Sequence, residues 1–382
     1  MTKAYYIGLI TLALFEIANV YFIMPMPGSQ RYDSVELAYF LHTNRWIFRI
    51  VCILLIAAGA FFAFRTSRKW IPAVATLPVL LIFYVFNFKM TADHMFLQPE
   101  TLVLKQKKEN IVNDSSLVVA VSHQGESKAY PIRLIQYHHQ VRDTIGGMAI
   151  MVTYCNVCRT GRVFEPVVDG KLEDFRLVGM DHFNAMFEDR TTRSWWRQAN
   201  GEAVTGPLKG KMLPEVEANQ LTLNKFFALY PFGVVMQPDV QFKETYDTLG
   251  HFEKGKSEGT LTRTDTLSWQ DKSWVVGVNV KGKDRAYDWN DLKKLRVIND
   301  EIAGTPIVIA IASDDQSFSV FERPSPGEFT VRNDSLISDV DVYDFLGRSP
   351  NNDKLRPIRS YQEFWHSWKE FHPHTDKYST TE

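Results

Sequence analysis

A stretch of fifty residues occurs twice in this chain, and such a repeat restricts the possible folds more than composition can. Residues 116–165 align without a gap on residues 273–322, at a constant offset of 157. Fourteen of the fifty positions are identical, where average residue usage predicts roughly three. Ser116-Leu-Val-Val echoes Ser273-Trp-Val-Val, Ala129-Tyr130 echoes Ala286-Tyr287, and Val163-Phe-Glu165 matches Val320-Phe-Glu322. One scaffold used twice is the expectation. The chemistry differs between the copies. His138, His139, Cys155 and Cys158 correspond to Leu295, Arg296, Ala312 and Asp315. Groups needed only for packing would be needed twice, so function is sought in the first copy.

The apolar residues are spread unevenly along the 382 residues. Runs at about 4–24, 46–64 and 70–88 have the length a bilayer requires. Tyr5, Tyr6, Trp46 and Trp70 sit at their edges, where amphipathic rings favour the headgroup region. The first run is too long for a signal-peptide core and lacks a small-residue cleavage site, so it is expected to be retained. Glu16 and Asn19 lie inside it, and a charge there is costly unless it faces other helices or is protonated. Arg65-Thr-Ser-Arg68-Lys69 joins the second and third runs, and the positive-inside rule places it in the cytoplasm. Three spans then put the large C-terminal part outside. A net charge of -1 argues against a nucleic-acid partner. The bilayer is the expected partner, with an unknown small ligand or a membrane protein.

From about residue 110 the pattern changes to short strands punctuated by turns. Leu117–Ser122, Ser127–Tyr130, Ala149–Tyr154, Arg162–Val168 and Glu173–Val178 read as strands, with hairpin turns at His123-Gln-Gly-Glu and Val168-Asp-Gly-Lys. Pro131–Gln140 has helical spacing, and Leu223–Tyr230 and Phe364–Pro373 read as short helices that end at a proline. The expected class is α+β, mainly β. A three-helix transmembrane region (1–95) precedes a first β-rich unit (96–237). A polar connection with some exposed hairpin (238–272) leads to a second, degenerate unit (273–382).

Met151-Val-Thr-Tyr-Cys155-Asn-Val-Cys158-Arg-Thr-Gly161-Arg-Val-Phe reads as strand, tight turn and strand. A thioredoxin-like pair would instead open a helix. A hairpin C-x-x-C can grip one soft or borderline metal ion, zinc or copper, but two thiolates leave tetrahedral zinc half coordinated. No second C-x-x-C exists, so His138, His139 and His182 are the candidate further ligands, with Asp143 and His94 behind them. Adjacent helical residues diverge by about 100°, so at most one of His138 and His139 is expected to face the cysteines. A Cys155–Cys158 disulfide fits an extracytoplasmic domain. A cysteine nucleophile with a nearby histidine is a third possibility. Asp143 has its match in Asp300 and Gly147 in Gly304, so both are assigned structural roles at the turn.

The stretch Tyr130-Pro-Ile-Arg-Leu-Ile-Gln-Tyr-His138-His139-Gln-Val-Arg-Asp143-Thr-Ile-Gly146-Gly147, then Val152-Thr-Tyr-Cys155-Asn-Val-Cys158, resembles the DUF3179 domain family. Asp189-Arg190-Thr-Thr-Arg-Ser194-Trp195-Trp-Arg197-Gln198 and Gly201–Leu208 are similar to a later stretch of that family. The resemblance is dense over residues 110–240. It departs at Asn156, where many relatives have proline, and at Met180-Asp-His182-Phe, where they often have L-Y-N-S. It implies an exported or membrane-attached bacterial protein and supplies no reaction. Arg159, Arg162, Asp189, Arg190, Trp195 and Arg197 are candidates to line a cleft for an acidic ligand, because arginine forks suit carboxylates and phosphates. The leading reading is a metal or redox site at the cysteines. The other is a non-catalytic binding or assembly module with a structural disulfide, built around grooves where the two units meet.

Overall fold

The computed structural model describes residues 2–65, 67–324 and 327–379, so Thr66 of the basic loop lies outside the described residues. Among the described residues three helices are long and apolar enough to cross a membrane: Thr2–Tyr21 (α1), Arg45–Phe64 (α3) and Trp70–Lys89, of which Trp70–Tyr84 (α4) is α-helical and Val85–Lys89 is a π turn. A shorter helix that the apolar pattern did not reveal, Val35–Thr43 (α2), lies between the first two. Glu16 does face other helices. Its carboxylate takes a two-pronged bond from Arg49 (Nε 2.7 Å, Nη2 2.8 Å) and a third from Asn87 Nδ2 at 2.9 Å. A charge buried in the bundle is tolerated because a matching fork and an amide satisfy it together.

The chain divides into two compact units. One holds residues 1–97 with 173–197 and 202–212, and the other holds the rest. The sequence placed 173–212 in the first β-rich unit. These residues instead form a four-stranded sheet (Phe175–Asp181, Asn184–Asp189, Trp195–Arg197, Ala203–Thr205) that packs against the segment after α1. Met180 N–H donates to Ile23 O at 2.7 Å, and Gly179 leaves room for the Ile23 backbone.

The second unit contains both halves of the repeat. The first half runs Leu117–His123 (β1), Glu126–Pro131 (β2), Ile132–His138 (α5), Gln140–Ile145 (β3), Met148–Cys155 (β4) and Thr160–Phe164 (β5). After the 173–212 excursion come Ala218–Thr222 (β6), Leu223–Leu229 (α6) and Val234–Met236 (β7). The second half runs Trp274–Val280 (β8), Lys283–Asp288 (β9), Trp289–Leu295 (α7), Val297–Ile302 (β10), Thr305–Ile311 (β11) and Phe318–Glu322 (β12), then Ser360–Phe364 (β13), Trp365–Phe371 (α8) and Asp376–Lys377 (β14). The strand order β7-β2-β1-β6 recurs as β14-β9-β8-β13, with a parallel pair at one end of each. The registers agree as well: Val119 pairs with Tyr130 and Val276 with Tyr287.

Local chemistry explains these elements. Gln124 and Gly125 both take positive φ (47° and 83°), the condition for a two-residue turn that follows the strand twist. Gly146 and Gly147 do the same between β3 and β4 (52° and 80°). Thr222 caps α6, its Oγ1 accepting from Lys225 N–H at 3.2 Å. Alternate residues of β1, β3 and β4 bury Val119, Val121, Val141, Ile150 and Val152 in one core, and Val276, Val278, Ile307 and Ile309 build a separate one. The connection 238–272 carries no strand among the described residues. It turns inward instead and adds Phe242, Tyr246 and Phe252 to the first core.

Candidate functional site

The hairpin β4–β5 carries both cysteines, with Cys155 opposite Thr160 and Tyr154 opposite Gly161. Cys155 and Cys158 are fully buried, and no disulfide joins them among the described residues. Arg159 closes the turn with φ 56°. One group from the second half and one from the end of the connection hold the turn. Phe364 N–H donates to Cys158 O at 2.9 Å, and Lys272 Nζ donates to Val157 O at 2.6 Å and to Leu261 O at 2.6 Å. The ammonium also lies 4.7 Å from the Phe364 ring centre. Burial pushes Lys272 down to about 8, while the charges that Cys158 and Cys155 can carry act the other way. The Tyr154 hydroxyl is buried without a hydrogen-bond partner among the described residues, and burial makes it a weaker acid, outweighing the opposite effect of neighbouring Arg159. Burial likewise pushes His366 down to about 4, and its Nδ1 lies 3.0 Å from Asp271 O.

The candidate histidines separate. His139 ends α5 in a left-handed conformation (φ 60°), its N–H bonded to Ile135 O and its carbonyl accepting Tyr154 N–H at 3.1 Å, one residue from Cys155. Burial pushes its imidazole down to about 4, so it is neutral at physiological pH. The corresponding Arg296 (φ 69°) makes the same two backbone bonds, and its guanidinium reaches Ala312 O and the Asp315 carboxylate, the counterparts of Cys155 and Cys158. In both halves the backbone at this position is thus bonded to the strand that leads into the hairpin turn. His138 points to a different neighbourhood, with Nε2 2.6 Å from Tyr246 OH and the Phe242 ring edge-on. His182 lies in the other compact unit, with Nδ1 2.5 Å from Asp181, and exposed His94 is in that unit too, bonded to Thr91. Among the described residues no group of three or more His, Cys, Asp and Glu side chains is arranged to hold a metal ion.

The six cleft candidates also divide. Arg159 is completely buried, bonded to Gln362 Oε1, Phe252 O and Glu253 O, with its guanidinium 3.5 Å from the Trp274 ring centre. Arg162 is buried against Glu363, Thr160 and Ala199 O, with the Tyr361 ring centre at 3.2 Å. Asp189, Arg190, Trp195 and Arg197 belong to the unit with the membrane helices. Asp189 caps its own turn and accepts Trp196 Nε1–H at 2.9 Å. Arg190 is exposed, Trp195 donates to Glu188 at 3.0 Å, and Arg197 bonds Asp181 and Glu202. Asp143 accepts from Tyr130 OH at 2.7 Å and from Lys128 at 3.0 Å, and Asp300 repeats this with Tyr287 at 2.6 Å and Arg285 at 2.7 Å. The aspartate thus fixes one hairpin to the next rather than capping the turn at Gly147.

Sequence reasoning missed Lys272, Tyr154 and Phe364. The available signal for Lys272 was its position immediately before the second copy, which faces back on the first. No curated protein and no solved structure matches the chain. The profile of the DUF3179 family, described as proteins of unknown function, matches residues 98–375 and so spans both halves of the repeat rather than 110–240 alone. With nearly three quarters of its length matched, from the first strands through to the last helix, the chain belongs to the DUF3179 family.

Proposed function

We propose that this protein is a membrane-anchored, extracytoplasmic thiol–disulfide protein made of two copies of one β-rich unit, with its chemical centre in the first copy alone. The anchor reading rests on the three apolar helices, and the orientation on the basic Arg65–Lys69 loop. The observation that carries the centre is the Lys272 ammonium seated on the Cys155–Cys158 turn, 2.6 Å from Val157 O. A cation beside buried thiols favours their thiolate forms, the nucleophilic state. The same ammonium disfavours a metal cation at the sulfurs, which ranks redox chemistry above the zinc or copper reading.

In this reading one cysteine thiolate attacks a low-molecular-weight disulfide and releases one thiol. The other cysteine thiolate then displaces the second thiol, so two electrons pass to the small disulfide and Cys155–Cys158 closes. Both cysteines are buried, so the exchange needs local opening of the turn, which a small disulfide demands least. The test is alkylation of the reduced full-length protein across pH 5–10. Lys272→Met should move the thiol midpoint up by about one unit or more, with Lys272→Arg close to the native value. An unmoved midpoint in Lys272→Met, or a stoichiometric metal that protects both thiols, would sink the redox centre.

A further inference from the structure

The two halves of the repeat meet in a cleft of about 280 Å³, walled by β1, β5 and β6 from one half and by β12 and β13 from the other. Such a volume lies at the small end of ligand pockets and suits a molecule of a single ring. In its wall stands Gln362, 3% exposed. Its Oε1 accepts from Arg159 Nε at 3.0 Å and from Gln220 Nε2 at 2.8 Å. Arginine has no acceptor, so this contact fixes which end of the Gln362 amide is oxygen. The amide nitrogen is thereby held as a buried donor, and it has no acceptor among the described residues. A buried donor left unpaired is costly, and a ligand acceptor recovers that cost.

The rest of the wall restricts the chemistry of that ligand. Of the four cations in the wall, Arg162 is paired with Glu363 and Arg348 with Asp344; Arg359 and Lys354 stand with Glu215 and Glu217, and Tyr361 OH is bonded to Glu215 at 2.7 Å. A simple anion would meet the two glutamates, and a simple cation the arginine and lysine. Hydroxyl groups donate and accept, so they satisfy both kinds of wall. We infer that the cleft between the two repeat halves is a binding site for a polyhydroxylated ligand of monosaccharide size, with Gln362 as its buried anchoring donor.

The test uses the full-length protein in detergent and calorimetric titration with methyl glucoside, methyl galactoside, methyl mannoside, N-acetylglucosamine, inorganic phosphate and acetate. At least one sugar should bind saturably. Gln362→Glu keeps the acceptor for Arg159 and turns the donor into an acceptor, so affinity should fall at least tenfold with thermal stability retained. Asn219→Trp, a half-buried wall position, should fill the cleft and abolish binding. Failure of all four sugars, binding of phosphate or acetate alone, or sugar binding indifferent to both substitutions would overturn the site. A Cys155→Ser, Cys158→Ser variant should bind the sugar normally, which separates this inference from the thiol centre.

Discussion

The two halves of the repeat share a frame but not a filling. Tyr130 and Tyr287 grip Asp143 and Asp300 at 2.7 and 2.6 Å, and the backbone bonds at His139 and Arg296 agree to within about 0.1 Å. At the β4–β5 turn the first half carries two buried thiols under Lys272, while the second carries Ala312 and an Arg296–Asp315 ion pair near the surface. The lesson is that strand register and the Tyr–Asp clamp define the scaffold, and the hairpin turn is free to change its chemistry.

The largest test of this comparison concerns a pair found only where the halves touch. Arg162 and Glu363, both almost wholly buried, stand where the opposite half has Ser319 and Leu221. Arg162→Met leaves a buried carboxylate unpaired and should cost about 3–5 kcal/mol in chemical denaturation, most of it recovered when Glu363→Leu is added. Should the double variant be no better than the single, the pair does more than fill the junction.

The clamp offers a symmetrical test. Tyr130→Phe and Tyr287→Phe each remove a hydrogen bond to a carboxylate and should each destabilise by about 1.5–3 kcal/mol. Costs that differ by more than about 1 kcal/mol would mean the two frames are not equivalent. Packing gives an asymmetrical one. Ala120 lies in the core with Phe226, whereas at the matching place Gly277 faces Trp368, and an added Cβ would lie 2.1 Å from the indole. Gly277→Ala should cost about 1–3 kcal/mol by overpacking, and Ala120→Gly only about 1 kcal/mol.

The smallest effect is a pH dependence where the connection packs on the first half. Glu253 is buried, accepts Arg133 N–H at 3.1 Å, and is pushed up to about 7 by burial despite Arg159 and Arg133. A carboxyl whose folded value lies above its unfolded one stabilises fully at low pH and loses that contribution as pH rises toward 7. Stability should fall by on the order of 1 kcal/mol per pH unit between pH 5 and 7 from this group. Glu253→Gln should flatten the slope, and an unchanged slope would assign it to other groups.

Much of this architecture was legible because it is local. Runs of apolar residues of bilayer length, the Gln124-Gly125 and Gly146-Gly147 turns, and the helices at 132–138 and 223–229 follow from periodicity and turn stereochemistry within a few residues. The segment 238–272 misled, since its polar composition concealed Phe242, Tyr246 and Phe252, which the first core needs. The arginines misled differently: Arg159 and Arg162 look available for a ligand in the sequence, yet their forks are taken up by backbone carbonyls, Gln362 and Glu363.

By itself, the sequence determined the repeat, its register, the apolar spans and the presence of a thiol pair in one half, all patterns with short physical range. Only the tertiary structure brought Lys272 to Val157 across 115 residues, Arg49 to Glu16, and Arg159 to Gln362. No spacing rule encodes such partners, because buried charges and amides pair with whichever group the packed chain delivers, and leaving them unpaired costs more than the ordering needed to meet.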